Sequence, residues 1–262
     1  MVLLSTLNRI MKTLNEDKII VKDLCYGIRY TYALVEGVYG RSLGIVYTNI
    51  SEVANYRVFP SKIPEYHEIK EFLSSLHITE RIAGISVLNA LSQYYLFKKN
   101  MYKQYRIFFN KDIIDIVDVK PGSIALLIGF IKPIARRLEE KHVEYRVVER
   151  NPVLYGERVY HDSMVKELAR DSDYIFISGA SLSTNTLEYI LSIMPSRPVK
   201  ILVGPSAQLI PDILFEKGID YVASIRIDNE NEVMKLIKLG HGTHSIMRCS
   251  TKYVIANPRN HR

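Results

Sequence analysis

Tyr174-Ile-Phe-Ile-Ser-Gly-Ala-Ser-Leu-Ser-Thr-Asn-Thr186, followed by Val199-Lys-Ile-Leu-Val-Gly-Pro-Ser206, is the stretch on which the fold turns. Each segment is a short apolar run that ends in a glycine-bearing polar turn and then becomes helical. Strands linked by helices pair in parallel through right-handed crossovers. Ligands of open α/β sheets bind outside the carboxyl ends of such strands. The turns at Ser178–Thr186 and Gly204–Ser206 therefore mark where a site is expected.

The same grammar extends both ways from there. Ser123–Ile128 and Tyr145–Glu149 read as strands before it, and Tyr221–Ile225 as a strand after it. Helices are expected from Pro133 to about His142, over Asp162–Arg170, Thr184–Ile193, Ala207–Lys217 and Asn229–Leu239. The residues before about Asp115 follow a different order. Leu24–Val35 and Leu43–Tyr47 are β-type runs around Glu36-Gly-Val-Tyr-Gly-Arg41, a plausible hairpin turn. Pro60 and Pro64 mark a loop, and Tyr66–Leu76 and Thr79–Phe97 read as helices, with Thr79 as N-cap and Glu80 in the first turn. Ile82, Ile85, Leu88, Leu91 and Tyr95 share one face of the second. Leu3, Leu7, Ile10 and Leu14 suit an amphipathic helix at the start. Sheet followed by helices is α+β grammar. The expected architecture is an α+β domain over 1–115 and a Rossmann-like, three-layer α/β domain with a mostly parallel sheet over 116–262.

The chain has 262 residues, with 47% hydrophobic and 24% charged residues, an ordinary globular balance. No apolar run reaches the roughly 20 residues that span a bilayer, and the first residues lack a basic-then-apolar signal layout. A cytoplasmic location is the expectation, with no membrane partner. Cys25 and Cys249 lie far apart, form no Cys-x-x-Cys pair, and are expected to stay reduced in such a compartment. The net charge of +7 is scattered and accompanies no nucleic-acid motif, so a soluble basic surface is expected instead of nucleic-acid binding. A homodimer is the default assembly.

Several residues can carry chemistry. The first strand–helix turn, Leu127-Ile-Gly-Phe-Ile-Lys-Pro133, has Gly129 where a dinucleotide site needs three glycines, which argues against a standard NAD site. Glu149, 20 residues on, stands where a carboxylate would hold a ribose, or is a solvated strand-end acid. Ser178, Ser181, Ser183, Thr184 and Thr186 offer hydroxyls, Asn185 an amide, and Gly179 a tight turn. Together they suit a phosphate, carboxylate or oxyanion, or one of them merely caps a helix. Gly204, Pro205 and Ser206 stand in the same relation to the next strand. His161 with Asp162 is either an acid–base pair or a surface histidine. His241-Gly-Thr-His244 with Cys249 is the sequence-local set of metal-type ligands, suited to a transition metal, but it lacks the second pair of a closed zinc site. A polar C-terminal extension is the alternative. Asn89, in an apolar helix, is either a satisfied core amide or a group that faces a pocket.

Three motifs taken together resemble a family of bacterial and archaeal proteins described as putative heavy-metal chelation proteins, a domain of unknown function. They are Glu80-Arg-Ile-Ala-Gly-Ile-Ser-Val-Leu-Asn-Ala-Leu91, Ser178-Gly-Ala-Ser-Leu182 with Thr186-Leu-Glu188, and Gly204-Pro-Ser206 followed by Phe215 and Gly218. The resemblance covers most of the chain. It implies an N-terminal domain similar to the enolase N-terminal domain, a Rossmann-like C-terminal domain, and a site between them. By that likeness Asn89 approaches the pocket from the first domain, and Gly129, Glu149, Ser178, Gly179, Ser181, Gly204, Pro205 and Ser206 line it from the second. The family pattern carries Asn where Thr184 stands; here the amide comes one residue later, at Asn185.

The implied function is a binding protein or enzyme for a small anionic ligand or metal chelate in an interdomain cleft. The alternative is an enzyme using a nucleoside-containing cofactor, such as a methyl donor, through Gly129 and Glu149. A third reading is metal delivery through His241, His244 and Cys249.

Overall fold

In the computed structural model, which describes residues 1–54 and 57–259, the strands form two sheets. The small one is an antiparallel meander, β1 (Ile20–Tyr26), β2 (Tyr30–Gly37) and β3 (Gly40–Tyr47). The reading of Leu24–Val35 as one strand is corrected here: the chain turns at Gly27. A Cβ on Gly27 would lie 2.7 Å from the Tyr30 carbonyl oxygen, so the turn admits no side chain. The β2–β3 hairpin closes where expected, with Gly37 paired to Gly40.

The large sheet contains β4 (Arg106–Phe109), β5 (Ile124–Ile128), β6 (Glu144–Glu149), β7 (Val159–His161), β8 (Tyr174–Ser178), β9 (Val199–Val203), β10 (Tyr221–Ile227) and β11 (Ser250–Ala256). Their order is β4-β11-β10-β9-β8-β5-β6-β7. The run from β10 to β7 is parallel, whereas β11 is antiparallel to both neighbours. Three strands were not anticipated by periodicity: β4 and β7, at the two sheet edges, and β11. Ser250–Ala256 is therefore an interior strand and not a polar extension.

Period-2 burial divides the large sheet's faces. Ala125, Leu127, Val147, Phe176 and Ile201 pack with Ile134, Ala135 and Leu138 of the Lys132–Glu140 helix on one side. Leu126, Val148, Ile175, Ile177 and Leu202 pack on the other, in the core that includes the Ile78–Gln93 helix. This helix starts one residue earlier than expected and is followed by a single π turn over Tyr94–Lys98. Its N-cap is His77. Thr79 is instead buried, and its hydroxyl donates to the Val58 carbonyl oxygen. Every residue from Arg81 to Gln93 is buried, so the helix has no solvent face and the expected single stripe covers only part of its contacts.

The helix lies close against the small sheet because Gly44 has no side chain. A Cβ there would fall 2.0 Å from the Ala90 nitrogen and 2.3 Å from the Ser86 carbonyl oxygen. The sheet's opposite face, through Tyr32, Leu34, Leu43 and Ile45, packs against Val233 and Ile237 of the Glu230–Lys238 helix. The small sheet is thus enclosed on both faces. Gly44→Ala must push backbone from backbone, and overpacking typically costs about 1–3 kcal/mol. We expect a loss at or beyond the upper end of that range in urea unfolding; a loss below about 1 kcal/mol would contradict this packing.

Candidate functional site

Chain direction across the large sheet sets the site. From β5 the chain steps to β6 and β7 on one side, then returns to β8 and proceeds to β9 and β10 on the other. The connections diverge between β5 and β8, and in open α/β sheets the carboxyl ends of strands at such a point are where a ligand crevice is expected. Register brings the turns level: Ile128 pairs with Val148 and Ile177, and Ser178 pairs with Val203.

Glycine amides extend the ladder one step past the strands. Gly129 donates to the Val148 carbonyl oxygen (2.9 Å), Gly179 to Val203 (2.8 Å) and Gly204 to Ala223 (3.0 Å). Gly129 has φ +88° and Gly204 φ +126°, a left-handed region in which a side chain is strained. A Cβ on Gly129 would also come within 2.9 Å of the Ser178 Cβ. A Cβ on Gly179 would sit 2.8 Å from the Ala207 nitrogen, so the turn after β9 rests on the turn after β8. Gly129, Glu149, Ser178, Gly204 and Pro205 are half-buried at this rim.

Glu149 is already engaged. One carboxylate oxygen accepts the Phe130 amide (3.0 Å), and the other accepts those of Arg150 (2.8 Å) and Asn151 (3.0 Å). The carboxylate ties the turn after β5 to the turn after β6. Arg150, which sequence reasoning missed, pairs with Asp162 (3.2 Å) and with Glu52 (3.2 Å) in the segment after β3. Burial works against the Arg150 charge, but the two carboxylates outweigh it and hold its pKa above the ordinary value. The adjacent Glu149 could have flagged Arg150. Nothing local could have flagged Glu52, because its partner is distant in sequence.

The segment Tyr47–Val53 is bound to the same turns at a second point. Ser206, buried, accepts the Tyr47 amide on its Oγ at 2.8 Å. Two residues on, Gln208 Oε1 accepts the Ile45 amide at 2.8 Å, and its Nε2 donates to the Ile225 carbonyl oxygen. Asn89 completes this seam: its Nδ2 donates to the carbonyl oxygens of Ile45 (2.7 Å) and Ser206 (3.0 Å). Asn89 is fully buried and its amide holds the two modules together, which matches the core-amide alternative on its donor side. The expected Ala207–Lys217 helix is shorter, Asp212–Glu216, and starts after Pro211.

The remaining turn residues mostly bond locally. The expected Thr184–Ile193 helix is split into Ala180–Ser183 and Leu187–Ile193, with Asn185 left-handed (φ +57°) between them. Thr184 Oγ1 donates to Ala180 and contacts Thr186 Oγ1, and Ser183 donates to Ala180. Asn185 Oδ1 accepts from the buried Arg81 guanidinium at 2.6 Å. Burial pushes the Arg81 pKa down. Ser181 is buried, and its Oγ has no hydrogen-bond partner. His161 caps the turn at Asp162–Met164, with Nδ1 2.9 Å from Ser163 Oγ.

The metal expectation is corrected. Among the described residues, no group of three or more His, Cys, Asp or Glu is arranged to hold an ion. His241 Nδ1 contacts Ser245 Oγ, His244 Nε2 contacts Arg248, and Cys249 packs with Cys25 against the core around Tyr30 and Ile237. His244 lies within the short Thr243–Met247 helix, whereas His241 precedes it and Cys249 follows it. Both cysteines are free thiols. No helix among the described residues is long and apolar enough to cross a membrane.

A family model described as "Putative heavy-metal chelation" matches residues 112–256, and a second with the same description matches residues 8–92. The chain belongs to the DUF364 family. A solved family member of unknown function from Pyrococcus horikoshii is 30% identical, covering 98% of this chain and all of its own, with a TM-score of 0.82. A second, from Desulfitobacterium hafniense, is 18% identical over 97% and 99% of the two chains, with a TM-score of 0.69, and shows the shared fold. An uncharacterized protein of Methanocaldococcus jannaschii is 29% identical over 247 residues, 92% of this chain and 91% of that one.

Ser206→Ala removes the acceptor of the part-buried Tyr47 amide while leaving that donor in place. Leaving a buried donor unsatisfied costs about 1–3 kcal/mol, so a part-buried one should cost about 1 kcal/mol. We expect that loss in chemical unfolding, whereas Ser163→Ala, at an exposed turn, should change stability by less than about 0.5 kcal/mol. Equal effects would contradict the role given to Ser206.

Proposed function

We propose that this protein binds a small anionic molecule, free or as a metal chelate, in the crevice at the carboxyl ends of β5, β8 and β9. The observation that carries this reading is the alignment of three glycine-bearing turns, at Gly129, Ser178–Gly179 and Gly204–Ser206, at the point where the connections diverge. Small residues there leave backbone approachable, and the Ser178 hydroxyl, Lys132 and Arg150 supply donors and positive charge around it. In this reading the Tyr47–Val53 segment forms the facing wall. The first module is read as similar to an enolase N-terminal domain, with the division near residue 115.

A metal would enter as cargo already held by an organic chelator. The family description names chelation, yet the described side chains gather no ligand set of their own. The protein then needs to recognise only the chelator's carboxylate or phosphate groups. A nucleoside cofactor held through Glu149 is disfavoured, because three backbone amides already occupy that carboxylate.

Native mass spectrometry of protein purified without chelating agents tests this, with metal citrates as added probes. We expect retained mass or a citrate-dependent rise in Tm. A ligand at about 100 times its Kd adds about 2.7 kcal/mol, a rise of at least about 5 °C. Ser178→Val should abolish both effects. Absence of retained mass and of any shift with citrate or its iron, nickel and cobalt complexes would overturn the proposal.

A further inference from the structure

The stretch His241–Cys249, which gathers no metal site, contributes to a second concavity far along the sheet from the crevice. It measures about 440 Å³ and is lined by Asn110, His244, Met247, Arg248, Ser250 and Lys252. Three elements build it: the turn after β4, the Thr243–Met247 helix with the residue that follows it, and the first half of β11. They are fixed relative to one another, because β4 pairs with β11 and the Asn110 amide donates to the Lys252 carbonyl oxygen at 2.9 Å.

The lining is one-sided in charge. It holds a guanidinium, an ammonium and an imidazole, and no carboxylate. Among the described residues, neither Arg248 nor Lys252 forms an ion pair with a carboxylate. Neighbouring cations do: Arg226 pairs with Asp228 and Lys98 with Glu230. Arg248 is positioned by donating to His244 Nε2 at 3.1 Å. Ser250 Oγ is committed to the Ile246 carbonyl oxygen. Apart from the Asn110 amide and the Ser250 oxygen, the polar side chains of the concavity are cations or carry donors, the complement of a multiply charged oxyanion.

We infer that this concavity binds a phosphate-bearing small molecule. Its size is that of an ordinary small-molecule pocket. It has no aromatic lining on which a base of single-stranded nucleic acid would stack, and its cations form a single cluster instead of a track along a strand. The site is separate from the crevice, shares no residue with it, and does not depend on the function proposed there.

Isothermal titration of the full chain with inorganic pyrophosphate tests the inference. One-to-one, sub-millimolar binding is expected, with Arg248→Gln and Lys252→Gln each weakening it by about tenfold or more, since each removes a charge-assisted hydrogen bond. Both side chains are exposed, and unchanged circular dichroism melts will show that the variants fold. Ser178→Val, in the crevice, should leave this affinity unaltered. No heat with the wild type, or equal affinity in both pocket variants, overturns the inference. Binding lost in Ser178→Val but kept in the pocket variants moves the anion to the crevice and also overturns it. Binding of a single-stranded 12-mer without binding of pyrophosphate replaces the small molecule with a nucleic-acid backbone.

Discussion

The outer edge of β3 carries backbone amides that would otherwise face away from the small sheet, and the turn after β9 supplies their acceptors. Ile45 donates to Gln208, Tyr47 donates to Ser206, and Asn89 reaches from the central helix to both β3 and the turn after β9. A strand edge buried without partners would be untenable. The small sheet is completed only by docking on the large one. Equally, the Ser206 and Gln208 side chains are committed to β3, and their carbonyl oxygens accept from Asn89 and Gln93 of the central helix. The module boundary is in this sense a hydrogen-bonded seam with a fixed register.

That seam has consequences at the crevice. Gly179 lets the turn after β8 pack directly on Ala207, and Gly129 lies against Ser178. Glu149 clamps the turns after β5 and β6, and Arg150 ties them to Glu52. Each turn is therefore held by groups that face the core or a neighbouring turn. The rim is preorganised, so a ligand there would not have to order the loops that receive it.

Much of the large sheet was legible because its central strands, such as Tyr174–Ser178 and Val199–Val203, are buried on both faces and end in glycine-bearing turns. Those turns also carry two of the three motifs behind the family resemblance, and they mark the strand ends at which a site is expected. β4, β7 and β11 were not legible, since Arg106–Phe109 and Val159–His161 are short and Ser250–Ala256 opens with polar residues that its antiparallel partners accommodate. The split of Leu24–Val35 depends on a close approach at Gly27, a tertiary contact. At the site, the types of residue were readable but their partners were not. Glu149 spends its lone pairs on three nearby amides, and Ser206 serves a strand from the other half of the chain. His241, His244 and Cys249 are close in sequence, yet each has a different neighbour in the fold. Sequence proximity identifies ligand types but not whether they converge.

Hydrogen exchange of the Ile45 and Tyr47 amides, followed with those of β8 and β9, tests the shared-seam account most directly. If the small sheet is completed only by docking, these amides should exchange through the same global opening as Ile177 and Leu202, with the same denaturant dependence. Exchange of β3 through an opening several kcal/mol less costly, while β8 and β9 stay protected, would show an independent first module and contradict the account.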